Sequence, residues 1–182
     1  MKYIQLTAIA LVFFIKSQAQ ITKNNWMLGG NISFSSTNYK SANYGAGYTL
    51  TSLKVDPNIG YFFADRFAVG LKSTISRVSG VSYYSLYTIF SAGPFLRYYF
   101  LPKENRINIL AEGLYQYGFE EGDQVRIPKH LFAFSTGAVA FFNSSVGIEF
   151  LLSYTNYRLT TIAGNNGILQ LGLGLQVHLN NY

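Results

Sequence analysis

From Leu169 to Leu179 the chain alternates without a break. Leu169, Leu171, Leu173, Leu175, Val177 and Leu179 take one parity, and Gln170, Gly172, Gly174, Gln176 and His178 take the other. A period of two belongs to a β-strand, whose side chains point to opposite faces in turn. The same stripe recurs upstream. Lys54, Asp56 and Asn58 oppose Leu53, Val55, Ile59 and Tyr61, while Lys72, Thr74 and Ser76 oppose Phe67, Val69, Leu71 and Ile75. Ser91, Gly93 and Arg97 face away from Phe90, Leu96, Tyr98 and Phe100. Arg106, Asn108, Glu112 and Gln116 face away from Ile107, Ile109, Ala111, Tyr115 and Tyr117, and Gly147, Glu149 and Ser153 from Val146, Ile148, Phe150, Leu152 and Tyr154. Each strand therefore has one greasy face and one small or polar face that carries its charges.

Two architectures use such ribbons. A soluble barrel turns the grease inward, whereas a membrane barrel turns it to lipid and lines its lumen with the polar face. Composition favours the second. Charged residues make up 12% of the chain and hydrophobic residues 49%, well below the ~25–35% charge that suits a water-facing surface. Beyond residue 20 no run approaches the ~20 apolar residues of a membrane helix, so any span must be a β-barrel, in which strands satisfy one another's backbone groups. Aromatic residues gather near run ends: Trp26, Phe34, Tyr61, Phe62, Phe63, Tyr98, Tyr99, Phe100, Phe141 and Phe142. That placement predicts an interfacial girdle, for which Trp26, Tyr61, Phe63, Tyr98, Phe100 and Phe142 are the leading candidates.

Eight runs can be counted, at about 25–36, 48–63, 66–78, 86–100, 106–118, 130–142, 145–157 and 167–180. Three connections are short and hold breakers: Ala64-Asp65, Leu101-Pro102-Lys103-Glu104-Asn105 and Asn143-Ser144. The other four, near 37–47, 79–85, 119–129 and 158–166, are longer and rich in Ser, Asn, Gly, Tyr and charge. Short turns alternating with long loops suit an outer-membrane barrel with periplasmic termini and extracellular loops. The first residues form an address. Lys2 precedes an apolar core from Leu6 to Ile15, and Ser17-Gln18-Ala19 is a small-x-small cleavage site. Residues 1–19 therefore read as a signal peptide and 20–182 as the barrel domain. The expected fold is all-β: an eight-stranded antiparallel up-and-down transmembrane barrel behind a cleavable signal peptide.

Three segments carry a family resemblance: Trp26-Met27-Leu28-Gly29-Gly30-Asn31-Ile32-Ser33-Phe34, the hairpin from Gly60 to Gly70, and Gly93-Pro94-Phe95-Leu96-Arg97-Tyr98-Tyr99-Phe100. In these the chain resembles the small porin-like outer-membrane β-barrels of Bacteroidetes, with an architecture similar to OmpX and the OmpA transmembrane domain. The likeness extends over essentially the whole chain after the signal peptide. It implies insertion by the barrel-assembly machinery and a surround of lipopolysaccharide and phospholipid. One departure is the end of the last strand, where Leu179 rather than an aromatic residue is the final in-phase apolar position.

Chemistry must lie in the lumen or on the loops. The predicted inward set holds Lys54, Asp56, Lys72, Arg97, Arg106, Glu112, Glu149 and His178. An eight-stranded barrel is just wide enough to be filled by side chains, and opposite charges buried together should pair. A polar plug is thus the simplest expectation, and an ion path the alternative. With no cysteine, thiolate chemistry and Cys-based metal sites are excluded. His130 and His178 fall at opposite ends of the predicted barrel, so no metal cluster or catalytic set assembles. No catalytic, cofactor or metal residue is assigned, and no cofactor is expected. Dispersed basic charge and export argue against nucleic acid. The expectation is a monomeric structural or surface-interaction protein. A narrow channel ranks second and a lipid-modifying enzyme third. The loops Ser36–Tyr48 and Glu120–Lys129 are the candidate contact surfaces.

Overall fold

The computed structural model describes residues 21–39, 48–80, 87–122, 125–159 and 166–179. Eight strands appear: β1 (Trp26–Tyr39), β2 (Tyr48–Ala64), β3 (Phe67–Gly80), β4 (Tyr87–Tyr99), β5 (Ile107–Gly122), β6 (Val125–Phe141), β7 (Val146–Leu159) and β8 (Asn166–Leu179). Each is antiparallel to its chain neighbours, and β8 returns to β1 to close the barrel. We call the end where β1 begins and β8 finishes the near end, and the opposite one the far end. The proposed signal peptide and the connections 40–47, 81–86, 123–124 and 160–165 lie outside the described residues.

The near-end turns are short for reasons visible in their side chains. Asn143 Oδ1 accepts hydrogen bonds from the backbone N–H groups of Ser145 (2.8 Å) and Val146 (2.7 Å), the local bonding that suits Asn to turns. Asn108 pins the β4–β5 turn by accepting from the Leu101 N–H (2.9 Å) and donating to its carbonyl (2.8 Å). At the β2–β3 turn Arg66 takes a left-handed φ of 66°. Its N–H donates to the carbonyl of Ile21 (2.8 Å), while Asn24 N–H donates to Phe62 O (2.8 Å). The segment 21–25 is thereby folded across the near end and Ile21 is fully buried.

One predicted connection is corrected. Residues 119–122 and 125–129, expected as a charged loop, extend the β5–β6 hairpin, so the contact surface predicted over Glu120–Lys129 is a strand pair rather than a loop. Its charges mark no break because they face partners across the ladder: Glu121 stands opposite Arg126, and Lys129 Nζ lies 3.8 Å from Glu120. Arg126 also covers the Phe119 ring, 3.4 Å from its centroid. The Ser36–Tyr48 segment is divided, since β1 runs on to Tyr39, β2 begins at Tyr48, and residues 40–47 fall outside the described residues.

The wall is apolar outside. Phe34 (67% exposed), Leu71 (62%) and Leu171 (76%) sit on a continuous outward surface with Leu169, Leu173, Leu175 and Leu179; Val177 shares that parity and is half-buried. Aromatic rings meet edge to face or tilted around the near end: Trp26 with Tyr61 (5.2 Å between centroids), Phe63 with Phe67 (5.2 Å), Phe67 with Tyr98 (5.4 Å) and Tyr98 with Phe100 (5.1 Å). Phe142 is exposed nearby. Three residues grouped with this girdle by sequence position, Phe62, Tyr99 and Phe141, instead point into the lumen and are buried. Strand parity, not nearness to a run end, decides their side.

An outer wall that faces hydrocarbon makes a depth-dependent prediction. Leu71→Arg, in the middle of β3, should cost roughly 2–4 kcal/mol when the protein is unfolded from lipid vesicles by urea, whereas Thr88→Arg, outward at the far end of β4, should cost about 0–1 kcal/mol. Equal costs would contradict a lipid-facing wall.

Candidate functional site: a layered lumen

The lumen is filled in layers. Across the near end Phe62, Tyr99 and Phe141 surround His178, with ring centroids 5.5, 6.1 and 5.5 Å from the imidazole, and Met27, Ala68 and Ile21 complete an apolar floor. These residues lie on the parity that carries the charges elsewhere, so an alternation reading sees only an occasional greasy residue on a polar face.

Above the floor lies an ion cluster. Arg97, fully buried, donates from Nε and Nη2 to Glu112 Oε2 (2.9 and 2.7 Å) and from Nη1 to Glu149 Oε1 (2.6 Å). Lys72 donates to Glu112 Oε1. Four strands, β3, β4, β5 and β7, contribute one charge each, and the cluster is neutral. Arg97 Nη1 also reaches the Tyr99 hydroxyl at 3.2 Å, tying cluster to floor, and Gln176 Nε2 donates to Glu149 Oε2 at 3.4 Å. Both cations lie near the Phe95 ring, Lys72 Nζ at 5.4 Å and Arg97 Cζ at 5.8 Å from its centroid. Phe95 fits only because Gly60 and Gly70 lie beneath it: a Cβ at either would come within 2.9 or 2.7 Å of the ring. Burial of four charges is costly unless each is paired and hydrogen-bonded, as the forked guanidinium between two carboxylates allows.

A hydrogen-bonded layer follows. Thr74 Oγ1 donates to Asp56 Oδ1 (2.6 Å), Ser91 Oγ to Gln116 Oε1 (2.9 Å) and Gln116 Nε2 to the Lys72 carbonyl (2.9 Å). Lys54 pairs with Asp56 at 3.2 Å, apart from the central cluster. Toward the far end the lumen opens into a vestibule of about 440 Å³ bounded by Lys54, Ser76, Glu120, Lys129, Thr155 and Gln170, among others.

The predicted inward set is thus divided into parts. Lys72, Arg97, Glu112 and Glu149 meet; Lys54 and Asp56 form a second pair; His178 belongs to the aromatic floor. Arg106 stands apart from the central cluster, half-buried in the β4–β5 turn one residue before β5 begins. His130 is outward, its Nδ1 2.9 Å from the Tyr115 hydroxyl, and cannot meet His178. Among the described residues no group of three His, Asp or Glu side chains is placed to hold a metal ion.

A greasy wall around a charged, filled lumen is the polarity of a small membrane β-barrel rather than of a soluble one. Neither a protein-family model nor a curated protein matches the chain. Solved structures do. Neisserial surface protein A aligns with a TM-score of 0.59 at 11% identity, over 84% of this chain and 96% of that one. The outer membrane protein OprG from Pseudomonas aeruginosa aligns with a TM-score of 0.59 at 12% identity, over 91% and 100%. At such identities the likeness is one of fold: a small, closed, antiparallel barrel.

The cluster's wiring predicts unequal roles for its acids. Glu112→Gln leaves Lys72 without its carboxylate and should cost about 3–5 kcal/mol, the usual penalty for stranding a buried charge. Glu149→Gln should cost less, because Arg97 keeps Glu112. Adding Lys72→Met to Glu112→Gln should recover part of the loss, and urea titration in vesicles of wild type, Lys72→Met, Glu112→Gln and the double variant would measure it as a coupling energy.

Proposed function

We propose that this chain is an integral outer-membrane barrel whose lumen is closed to ions and whose working surface is its far end, turned to the exterior. The observation that carries the reading is the pair of barriers in series, the Arg97-centred ion cluster and the aromatic floor around His178. A conducting pore needs a wet, continuous path, and here charged groups are consumed by one another. In this reading the near end, with its short turns and folded-over N-terminal segment, faces the periplasm, and the long connections face out. Lipopolysaccharide and phospholipid surround the wall, the barrel-assembly machinery inserts it, and the barrel works as a monomer. The role is structural or one of surface contact rather than catalysis. The tall β5–β6 hairpin, stiffened by Arg126 on Phe119 and Lys129 beside Glu120, is the leading contact element.

The protein should fractionate with the outer membrane and migrate faster on gels before boiling than after. In planar bilayers wild-type protein should show no stable open state. Because the barriers are in series, Glu112→Gln with Glu149→Gln should remain closed, and so should Phe62→Ala with Tyr99→Ala, while the four changes together should give resolvable openings. Large stable conductance from wild-type protein would replace the closed barrel by a narrow channel.

A further inference from the structure

The barrel wall is not zipped along its whole height. Between β1 and β8 the ladder runs from Trp26 opposite Leu179 to Ile32 opposite Leu173 and continues no further. Yet β1 stays paired with β2 as far as Tyr39, and β8 with β7 as far as Asn166. Residues 33–39 and 166–172 therefore each have a strand neighbour on one side only. Other interruptions heal. The β2–β3 ladder skips Asp56 and Pro57 and resumes at Asn58, and the β4–β5 ladder skips Gly93 and Pro94 and resumes at Phe95.

The split lies at the depth of the apolar band, since Phe34 and Leu171 flank it on the outside and both are among the most exposed apolar residues of the wall. Backbone left unpaired in hydrocarbon is tolerated only where it lines protein or a wet cavity. Here it lines one. An outer groove of about 860 Å³ is bounded by Ile32, Phe34, Leu171 and Leu173 but also by Ser33 and Gly172, which belong to the lumen-facing parity. A cleft behind it shares Ser33, Leu171 and Gly172 with the groove and Lys54 and Gln170 with the vestibule. Outer wall, seam and vestibule thus share lining residues, and because the cleft between them holds only about 20 Å³, a guest that bridges them must part the two unpaired strands. At Gly172 a Cβ would meet nothing closer than the Ile32 carbonyl oxygen at 3.9 Å. Beside the cleft Asn31, 7% exposed, has an Oδ1 acceptor that no protein group satisfies, buried against Gly174 at the zipped edge of the seam.

We propose that this seam is a lateral portal at which an amphiphile from the bilayer lodges, its polar head in the vestibule and its hydrocarbon chain along the outer groove. The two sides of the seam match the two halves of such a molecule. Outside are aliphatic side chains and Phe34. Inside are the free acceptor of Asn31, the Ser33 hydroxyl, the Gln170 amide and the Lys54–Asp56 pair. Both charge signs occur together, so a zwitterionic head bearing a hydroxyl donor fits better than an anion. A single chain fits an opening between two strands still clasped at Ile32 and Leu173. The proposal rests on the membrane reading above.

The chain has no cysteine, so introduced pairs report cleanly. Ser33→Cys with Gly172→Cys places thiols where the next ladder pair would stand. Ser135→Cys with Ser153→Cys, opposite each other in the β6–β7 ladder, is the control. The probe is lysophosphatidylcholine with a photoactivatable group on its acyl chain, added to protein in phosphatidylcholine vesicles. Labelling should map to residues 32–36 and 169–173. It should fall several-fold when the seam disulfide forms, return on reduction, and be unaffected by the control disulfide. Gly172→Leu, which fills the seam without oxidation, should lower it likewise. Labelling indifferent to both closures overturns the portal. So does hydrogen exchange as slow at residues 33–36 as at 27–31 in wild-type vesicles, which would mean that the ladder zips in lipid, and so do 33-to-172 cross-links between copies, which would mean that a second barrel covers the edge. Protein that is not heat-modifiable in the vesicles overturns the membrane reading as well, whereas a heat-modifiable barrel that fails these tests overturns the portal alone.

Discussion

Hydrocarbon offers no hydrogen bonds, and this single constraint organises the barrel. A strand in such a solvent must find partners for its N–H and C=O groups in other strands, so a sheet has to close on itself. Closure at eight strands then sets the width of the interior, which is just that of interlocking side chains. The filling is consequently not optional decoration. Every lumen residue must be compatible with a neighbour across the barrel, which is why Phe95 lies over Gly60 and Gly70 and why the ion cluster draws one charge from each of four strands.

The layers differ in what they contribute. An aromatic and aliphatic floor can be packed in many arrangements of similar energy, whereas a guanidinium held by two carboxylates has few. The Arg97 cluster is weak evidence for stability, since apolar residues of the same volume could fill the space at similar or lower cost. Its greater use is to penalise misregister. A slip of one residue in β4 would turn Arg97 out toward the apolar wall and leave Glu149 without a cation in the lumen, while Glu112 kept only Lys72. Stranding two charges at once favours the native stagger, in which both faces are satisfied.

Much of this was legible in the sequence, and what was missed has a common cause. Strand number, near-end turns and the outward stripe follow from a period of two, which survives in a single strand without knowledge of its partners. Phe62, Tyr99 and Phe141 sit near run ends among the girdle residues, and only parity tells that they turn into the lumen. The charged stretch 119–129 carries no strand signature of its own, because Glu121 and Arg126 come opposite each other only once the hairpin is paired. Alternation also says nothing about stagger, so neither the Lys72–Glu112 contact nor the early end of the β1–β8 ladder has any signature in a run of residues taken alone.

That early end lies on a particular pair of strands. Every other adjacent pair is joined by a chain connection, and a hairpin holds its two strands in register whatever their side chains contribute. The contact between β1 and β8 closes the barrel without one, so its length depends on side chains and termini alone. Near the termini the folded-over segment 21–25 and the buried floor hold it shut. Farther along, β8 offers Gly172 to the lumen where most other positions of the layer carry a side chain, and nothing bridges across to Ser33. Loss of pairing here costs less cooperative structure than anywhere else in the wall, because only one ladder and no hairpin is given up. A barrel that must stay closed at one end and yield at the other has one seam at which it can do so, and that is where the ladder stops.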